Sequence, residues 1–573
     1  MANTASTKSG GSKKARARAV AGAAAAEKSR VEAAPPLTDI PESAWRISVL
    51  VILLVAAVLR MYDLNLVPLH HDEGVNGNFL VRLVREGVYT YDPANYHGPT
   101  LYYFSALFPW IVRVLFGKSA MESYGLTTVA IRMVPVIFGL ATIVLVFLLR
   151  RWLGTIATLT AALLLAISPG SVYLSRYYIH EMQFVFFTLG IVVGCLYFYE
   201  QRNAFYLMLA SASAALLFAT KETAMISAGV LLIAFAMTLA YRYLTREKVA
   251  RKAKGRSQPR QSWLRQFVDD LGGPVVVLVY AALMVFVFAG LWIAFYSSFF
   301  TNSQGVTDSF KTFAIWTKTG TGAHVHPWSQ YVIWLFKQEG PLLVLGVLGA
   351  TAILLAILLS KAKNSFALFS ALWAFGLIAA YSLIPYKTPW LVLSFLVPLA
   401  LVAGYAVQAV YEFDKRQLRL VLVLLLIPVC VSSYQTLDLN FKNYDNDDTY
   451  YVYVYAHTTR GMLELVKEID RIAGQQSGGQ TGITIVSPDY WPLPWYLRNY
   501  TRVGYYGRLA QSTEPLIIAN ENQKPDMDAN FAEVYRQVGS NQPGGGYELR
   551  PGVRLLLYER RQGFTPMQPP SIR

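Results

Sequence analysis

The stretch WRISVLVILLVAAVLRMYDLNLVPLHHDEG, residues 45–74, joins a long apolar run directly to a cluster of polar side chains. About 20 mostly apolar residues are enough for a helix to cross a bilayer, so the run predicts a membrane span. Charged and strongly polar groups are costly inside hydrocarbon. We therefore expect His70, His71, Asp72 and Glu73 just beyond the membrane boundary, where the first span ends.

The composition of the whole chain indicates many such spans. Of the 573 residues, 54% are hydrophobic and only 15% are charged, whereas soluble proteins carry about 25% charged residues. The net charge of +16 comes mostly from short basic clusters between apolar runs, which is typical of cytoplasmic loops. No nucleic-acid-binding motif accompanies the charge, so we expect no nucleic-acid partner. The two cysteines lie in apolar runs, which argues against a disulfide framework.

Twelve apolar runs have the length to be considered as spans. They are 45–64, 99–116, 128–149, 154–170, 182–199, 204–219, 222–243, 274–296, 340–359, 366–384, 389–411 and 418–435. Basic loops favour the cytoplasm, and twelve crossings from a cytoplasmic N-terminus would leave the basic loop 245–266 outside. The run 98–116 contains a proline and an arginine. We assign it to a helix at the outer surface and predict about eleven spans.

With eleven spans the basic clusters fall inside, at 150–152, 242–266, 361–364 and 414–419. The same topology places polar side chains from separate parts of the chain on the outer face. They are HHDE (70–73), His97, Arg132, SRYYIHEM (175–182), TKET (220–223), HVHPW (324–328), Lys337, Glu339 and PYKTPW (385–390). The distribution of basic clusters did not require these polar residues to share one side. Their grouping predicts a site at the outer membrane surface.

Composition divides the chain into three parts. Residues 1–44 are a basic, low-complexity tail that we expect to be disordered in the cytoplasm. Residues 45–435 form the transmembrane domain, with outer loops at 62–127 and 297–339. Residues 436–573 alternate strand-like and helical patterns, which predicts a small extracytoplasmic α/β domain. The prediction is thus a polytopic α-helical protein of the cell membrane with its N-terminus in the cytoplasm.

The carboxylates of Asp72 and Glu73 are candidates for a general base. A carboxylate at a membrane boundary loses part of its hydration, which favours proton uptake. A structural alternative is a helix cap, in which Asp72 begins the helix GNFLVRLVREG. A divalent metal site is a third interpretation. Its ligands would come from His70, His71, His180 and Glu181. The residues alone leave the three open.

Three cations at predicted outer span ends are candidates for binding a phosphate. Lys387 lies between two prolines with no acidic neighbour in sequence, Arg132 begins the second span, and Arg176 follows the third. An unpaired cation at this position suits a phosphate group. The alternative is a side chain that reaches into the lipid headgroup layer. Together with the carboxylates, these cations predict a site for a lipid-linked phosphate substrate.

Several motifs resemble those of GT-C class glycosyltransferases, which use polyprenyl-phosphate sugars. The outer-loop Asp-Glu, the following HGP and AIRMVPVIFG (130–139) resemble protein O-mannosyltransferases and bacterial lipid-A aminoarabinose transferases. LLLAISPGSVYLSRYYIHEM (163–182) resembles an outer loop of oligosaccharyltransferase catalytic subunits. The overall likeness is greatest to the flippase-activity-associated proteins of archaea and bacteria. That likeness rests on HHDEG, YHGPTLYY, IPYKTPW and PDYWPLPWYLRNY.

The resemblance implies a glycosyltransferase that acts on a polyprenyl-phosphate sugar donor and a glycan or protein acceptor. Asp72 or Glu73 would deprotonate the acceptor hydroxyl, which attacks the anomeric carbon with inversion. Lys387 and Arg132 would stabilise the leaving phosphate. In the metal-using branch a divalent ion (Mg, Mn or Zn) would be held by Asp72 and His180–Glu181. The mannosyltransferase branch needs no metal for the chemistry.

Aromatic side chains outside the membrane are candidates for binding sugar rings. These candidates are His326, Trp328, Trp491 and Trp495. For the tryptophans of PDYWPLPWYLRNY the alternative is the aromatic core of a small domain. A second function also stays open, in which the protein assists the translocation or handling of lipid-linked sugars without doing chemistry.

Overall fold

The structure, a computed structural model, describes most of the chain. The described ranges are 40–95, 97–117, 125–252, 263–319, 324–359, 364–413, 418–445, 450–539 and 545–561. Residues 1–39 of the predicted disordered tail lie outside them. So do 253–262, 361–363 and 414–417 of the predicted cytoplasmic clusters.

The membrane part is built from helices. In chain order they are α1 Glu42–Met61, α2 His71–Glu86, α3 Thr100–Phe116, α4 Thr128–Phe147, α5 Arg150–Leu153, α6 Thr155–Ile167, α7 Pro169–Ser175, α8 Glu181–Gln201, α9 Ala204–Phe218, α10 Ala224–Lys252, α11 Trp263–Asp270, α12 Pro274–Tyr296, α13 Gln304–Thr319, α14 Gln330–Leu358, α15 Ser365–Leu383, α16 Leu393–Phe413 and α17 Leu418–Leu437.

Within the described ranges, nine helices are long and apolar enough to cross a membrane, and the bent pair α6–α7 makes a tenth. These helices correspond to predicted spans, and the two helices of the pair meet at an angle of 60°. The remaining predicted span is α9, which at 15 residues is about 22 Å long and short for a bilayer. The chain belongs among multi-pass membrane proteins, as predicted.

Helix α9 nevertheless returns the chain along α8. After α9, the Thr220 carbonyl accepts a hydrogen bond from the Gly98 amide at 3.0 Å, and the Gly98 carbonyl lies 3.1 Å from His180 Nε2 at the start of α8. The end of α9 and the start of α8 therefore meet. We call this end of the helix bundle, where α2 also lies, the Asp72 end.

The C-terminal domain is a six-stranded mixed sheet with helices, as predicted from the alternating pattern. Its strands are β1 Ile483–Ile485, β2 Val503–Tyr505, β3 Leu516–Asn520, β4 Tyr535–Val538, β5 Tyr547–Arg550 and β6 Val553–Arg560. The order is β2-β1-β3-β6-β4, with β5 also on β6; β2, β1 and β3 are parallel and the β6 pairings are antiparallel. Its helices are α18 Gly461–Gly474, α19 Leu493–Tyr496 and α20 Lys524–Phe531. Buried apolar clusters cover both faces of the sheet.

The C-terminal domain packs on helix α2. Trp495 belongs to the same buried cluster as Leu80 of α2 and Tyr178. Glycines allow the contact: a Cβ at Gly77 would lie 2.6 Å from Trp495 Cε3, and one at Gly74 would lie 2.5 Å from Pro492 Cβ. The domain therefore sits at the Asp72 end, in contact with the first predicted outer loop.

Candidate active site

Helix α2 begins within the polar cluster of residues 70–73. His70 is its N-cap: Nδ1 accepts the Asp72 amide at 3.1 Å, and Nε2 lies 2.9 Å from the Tyr455 carbonyl. Since Nδ1 accepts a hydrogen bond, the ring proton is on Nε2, which donates to Tyr455. His70 is thus the helix cap, and the alternative in which Asp72 caps the helix is wrong.

The two adjacent carboxylates have different surroundings. The side chain of Asp72 is 40% exposed, and Oδ2 lies 3.8 Å from His70 Nδ1. Among the described residues, none donates a hydrogen bond to this carboxylate. Its place in the first turn of α2 favours a negative charge. Asp72 is therefore accessible to solvent and has no donor bonded to it among the described residues.

Glu73, in contrast, is fully buried and bonded on both oxygens. Oε1 accepts from Arg132 Nε and the Tyr178 amide, both at 2.8 Å. Oε2 accepts from Arg132 Nη2 at 2.6 Å and the His70 amide at 2.9 Å. These bonds leave little capacity for a substrate hydroxyl, so the geometry favours Asp72 over Glu73 as the base.

The ion pair with Glu73 argues against Arg132 as a phosphate contact. Besides Glu73, its guanidinium donates to the carbonyls of Leu64, Val67 and Pro68 at 2.7, 2.9 and 3.3 Å. A bidentate arginine–carboxylate pair with every donor used is a structural clamp. It fixes the loop between α1 and α2.

Arg176 is likewise bound to backbone carbonyls. Its guanidinium donates to Leu59 at 3.3 Å and Asp63 at 2.9 Å, and stacks 4.8 Å from the Phe441 ring. Burial lowers its pKa to about 10. Carbonyls at the end of α1 attract a cation, so Arg176 stabilises that helix end.

A cleft lies between the first loop, the end of α7 and the segment after α17. It is lined by Val67, Pro68, His70, Glu73, Arg132, Tyr173, Arg176, Tyr177, Asn440, Tyr444, His457 and Thr458. The four residues from the segment after α17 were not predicted from the sequence. Neither residue type nor spacing marks them, because they reach the cleft only through the docking of the C-terminal domain.

Lys387 is buried in the loop between α15 and α16. Its ammonium donates to the carbonyls of Ile384 and His326, the latter at 3.4 Å, and lies 5.8 Å from the centre of the Tyr331 ring. No carboxylate among the described residues pairs with it, and burial lowers its pKa. Of the three candidate cations, Lys387 makes the fewest hydrogen bonds to other described residues.

A second charged cluster joins the start of α8 to the turn after α9. Lys221 Nζ is 2.5 Å from Glu181 Oε1, and His97 Nδ1 is 3.1 Å from Glu222 Oε2. Burial alone would lower the pKa of Lys221, but Glu181 and Glu222 outweigh it and raise the pKa. Burial also raises the pKa of Glu222, yet His97 and Lys221 bring it below its usual value. Lys221 thus forms a buried ion pair with Glu181.

The four candidate metal ligands make different contacts within the protein. His70 bonds to Tyr455, and His71 lies 6.0 Å from the Trp491 ring. His180 faces Gly98, where burial holds its pKa well below the usual range. Glu181 pairs with Lys221. In the part of the chain that the structure describes, no three His, Cys, Asp or Glu side chains are arranged to hold a metal ion. A metal ion at these residues stays a prediction.

The aromatic candidates divide into packing residues and exposed ones. Trp495 is buried, and Trp491 contacts α2, so both act in the interface between the domains. Trp328 is 72% exposed, and His326 lies 5.3 Å from the Trp334 ring. Trp328 and His326 stay predicted sugar contacts near the Lys387 loop.

Two buried side chains from other helices stabilise the break between α6 and α7, and neither was predicted from the sequence to do so. Arg60 donates to the Leu165 carbonyl at 2.9 Å and the Ala166 carbonyl at 3.0 Å, at the end of α6. Glu339 Oε1 accepts from the Gly170 amide at 2.7 Å, at the start of α7, and from the Tyr453 hydroxyl at 3.3 Å. Each charge opposes the partial charge of the helix end it meets.

Comparison with known proteins bears on the fold and the family. Residues 48–302 match the family model described as dolichyl-phosphate-mannose-protein mannosyltransferase. No curated protein sequence matches the chain. Among solved structures, the chain is similar to ArnT from Cupriavidus metallidurans bound to undecaprenyl phosphate. That similarity has 13% identity and a TM-score of 0.60, and covers 92% of this chain and 100% of ArnT.

The chain is also similar to the archaeal oligosaccharyltransferase AglB from Archaeoglobus fulgidus, solved with an inhibitory peptide and a dolichol-phosphate. The identity is 12% and the TM-score 0.52, over 92% of this chain and 76% of AglB. The predicted resemblance to the GT-C class is confirmed; the greater likeness to flippase-activity-associated proteins stays a prediction. The chain is therefore a multi-pass membrane protein with the GT-C glycosyltransferase fold, and its residues 48–302 match the mannosyltransferase family.

Proposed function

We propose that the protein transfers a sugar from a polyprenyl-phosphate-linked donor to a glycan or protein acceptor at the extracytoplasmic membrane surface. The observation that carries the proposal is the contrast between Asp72, which is exposed and unpaired with any cation, and its buried neighbour Glu73. A general base needs an ionised carboxylate within reach of the substrate proton. The solved complexes of ArnT with undecaprenyl phosphate and AglB with dolichol-phosphate support a lipid-phosphate ligand.

In the proposed reaction Asp72 takes the proton of the acceptor hydroxyl. The acceptor oxygen forms a bond to the anomeric carbon from the face opposite the lipid phosphate. The bond from that carbon to the phosphate oxygen breaks, and its electron pair leaves with the phosphate. Lys387 stabilises the negative charge that develops there. Arg132 and Glu73 hold the loop that presents Asp72, and no step uses a metal.

The test is Asp72→Asn in the full-length protein, purified in detergent and supplied with polyprenyl-phosphate sugars and acceptor. Losing a general base lowers kcat by about 100-fold to 10,000-fold, while binding of the lipid donor should stay unchanged. Glu86→Gln is the matched control, because Glu86 is an exposed carboxylate at the other end of the same helix. Transfer at the wild-type rate in Asp72→Asn would exclude Asp72 as the base.

The same experiment addresses the non-catalytic alternative. If the wild-type protein binds lipid-linked sugars but transfers none of them to any acceptor, the protein handles these lipids without chemistry. The choice between these outcomes does not depend on how the donor sugar is recognised.

A further inference from the structure

Tyr455, in the segment that joins α17 to the C-terminal domain, contacts two loops of the membrane part. Its carbonyl lies 2.9 Å from Nε2 of His70, the cap of α2. Its hydroxyl lies 2.7 Å from Nδ1 of His324, in the segment before α14. One residue outside the helix bundle is therefore bonded to two loops that are far apart in the chain.

The segment that contains His324 in turn pairs with the Lys387 loop. The His324 carbonyl accepts the Lys387 amide at 3.0 Å. The Pro385 carbonyl accepts the His326 amide at 3.1 Å, so the two segments form a short antiparallel bridge. The His324 ring also packs edge-on against the Tyr386 ring, with centroids 5.5 Å apart. A displacement of His324 would therefore displace the backbone of Lys387 as well.

Four consecutive hydrogen bonds thus lead from Lys387 to Asp72. The Lys387 amide donates to the His324 carbonyl, and the His324 ring is bonded to the Tyr455 hydroxyl. The Tyr455 carbonyl accepts from His70 Nε2, and His70 Nδ1 accepts the Asp72 amide. This hydrogen-bond path connects the proposed phosphate contact with the proposed base through direct contacts between separate segments of the chain.

The backbone along this path has an uncommon conformation. His324 has a φ of 53°, and Ala456, which follows Tyr455, has a φ of 48°. Residues other than glycine rarely adopt positive φ, and they keep it where surrounding contacts hold them. The Trp390 ring supplies such packing, with its centroid 6.1 Å from that of Tyr455 and 6.4 Å from that of His70. Packing and hydrogen bonds therefore both fix Tyr455 between the two loops.

We propose that Tyr455 is a positioning residue, which sets the place of the Lys387 loop relative to the carboxylate of Asp72. This inference rests on the proposed function, because it takes Lys387 as the phosphate contact and Asp72 as the base. A misplacement of about 1 Å can cost a reaction about 100-fold in rate, whereas one exposed hydrogen bond contributes little to folding. Loss of the Tyr455 hydroxyl should therefore lower the transfer rate much more than the stability.

The discriminating variant is Tyr455→Phe in the full-length protein, which removes the bond to His324 and keeps the carbonyl bond to His70. We expect kcat for sugar transfer to fall about 10-fold to 100-fold. The thermal unfolding temperature and the affinity for sugar-free polyprenyl phosphate should stay unchanged. Tyr500→Phe is the matched control, since its hydroxyl donates to Asp470 at 2.6 Å within the C-terminal domain. A wild-type kcat in Tyr455→Phe would overturn the proposal.

Variants of His324 test whether Tyr455 acts through this bond. His324→Ala should lower kcat as Tyr455→Phe does, and the double variant should be no slower than either single variant, because both changes remove one interaction. His324→Asn should keep kcat near the wild-type value, since an amide can bond to the hydroxyl and asparagine tolerates positive φ. Additive losses in the double variant would contradict the proposed path.

A distance measurement separates this inference from the proposed function. Spin labels are attached at Arg82→Cys on α2 and Val325→Cys beside the Lys387 loop, both exposed positions, with the two native cysteines replaced by alanine. The distribution of distances between the labels should be broader with Tyr455→Phe than without it, and an unchanged distribution would overturn the inference. A wild-type protein that transfers no sugar would overturn the proposed function, and the distances would still show whether Tyr455 joins the two loops.

Discussion

Asp72 and Glu73 carry the same functional group but lie in different environments. Asp72 and Glu73 are both carboxylates in the first turn of α2, yet one is exposed and the other bonded to Arg132 inside the protein. The sequence identified both as candidates for the base. It could not separate them, because the partner of Glu73 lies 59 positions along the chain and no local pattern records that contact.

We predict that Glu73→Gln lowers the free energy of unfolding and has a smaller effect on the rate of sugar transfer. Breaking a buried ion pair by removing one partner costs about 3–5 kcal/mol, since Arg132 is then left without its carboxylate. Denaturant titration in detergent measures this loss, with Glu86→Gln as the control. A Glu73→Gln protein with wild-type stability and no turnover would instead give Glu73 the chemical role.

Lys387 provides a prediction about pH. In the proposed reaction its ammonium form binds the donor phosphate, and burial holds its pKa below the usual lysine value. As pH rises through this lowered pKa, the charge is lost, so affinity for polyprenyl phosphate should fall at a lower pH than for an ordinary lysine. A binding titration from about pH 7 to about pH 10.5 measures this. In Lys387→Arg, affinity should persist to higher pH; identical profiles would remove Lys387 from the phosphate site.

Among the elements, long apolar runs predicted most of the membrane helices. They did not predict where a helix is interrupted. The apolar run at 154–170 predicted one span, and the chain instead bends by 60° between α6 and α7. The SPG sequence at residues 168–170 is a turn signal. What makes the bend stable is Arg60 and Glu339, which come from two other helices. Long-range partners of this kind are not visible in a local pattern.

The packing of α2 on the C-terminal domain gives a prediction for Gly77→Ala. The added methyl group would lie 2.6 Å from Trp495 Cε3, and overpacking of this kind costs about 1–3 kcal/mol. We expect a lower thermal unfolding temperature in detergent. Gly229→Ala is the control, because a Cβ there meets no atom within 4 Å. Equal unfolding temperatures for the two variants would contradict this account of the interface.

For the whole molecule, composition and charge predicted the fold class and the small α/β domain, and both are confirmed. Hydrophobic length and basic clusters are properties of single segments, so one sequence is enough to show them. The contact of Glu73 with Arg132 is different, because it depends on how helices meet. The predicted boundary between residues 435 and 436 falls within α17, which continues to Leu437.

The predicted sidedness is tested by cysteine labelling in intact cells. Cys195 and Cys430 are first replaced by alanine, and single cysteines are then introduced as Ser43→Cys or Glu521→Cys, both at exposed positions. A membrane-impermeant thiol reagent should label Glu521→Cys at once and Ser43→Cys only after permeabilisation. The reverse pattern would put the Asp72 end in the cytoplasm and rule out extracytoplasmic transfer.

The bonds from residues 450–458 into the membrane part have a consequence for engineering. The Tyr455 carbonyl accepts from His70, the cap of α2, and the Tyr453 hydroxyl donates to the carboxylate of Glu339 on α14. A truncated protein that ends after α17 would lose both bonds and expose the glycine face of α2. Chimeras that exchange C-terminal domains between related proteins should thus be joined beyond residue 458, so that the host keeps its own tyrosines.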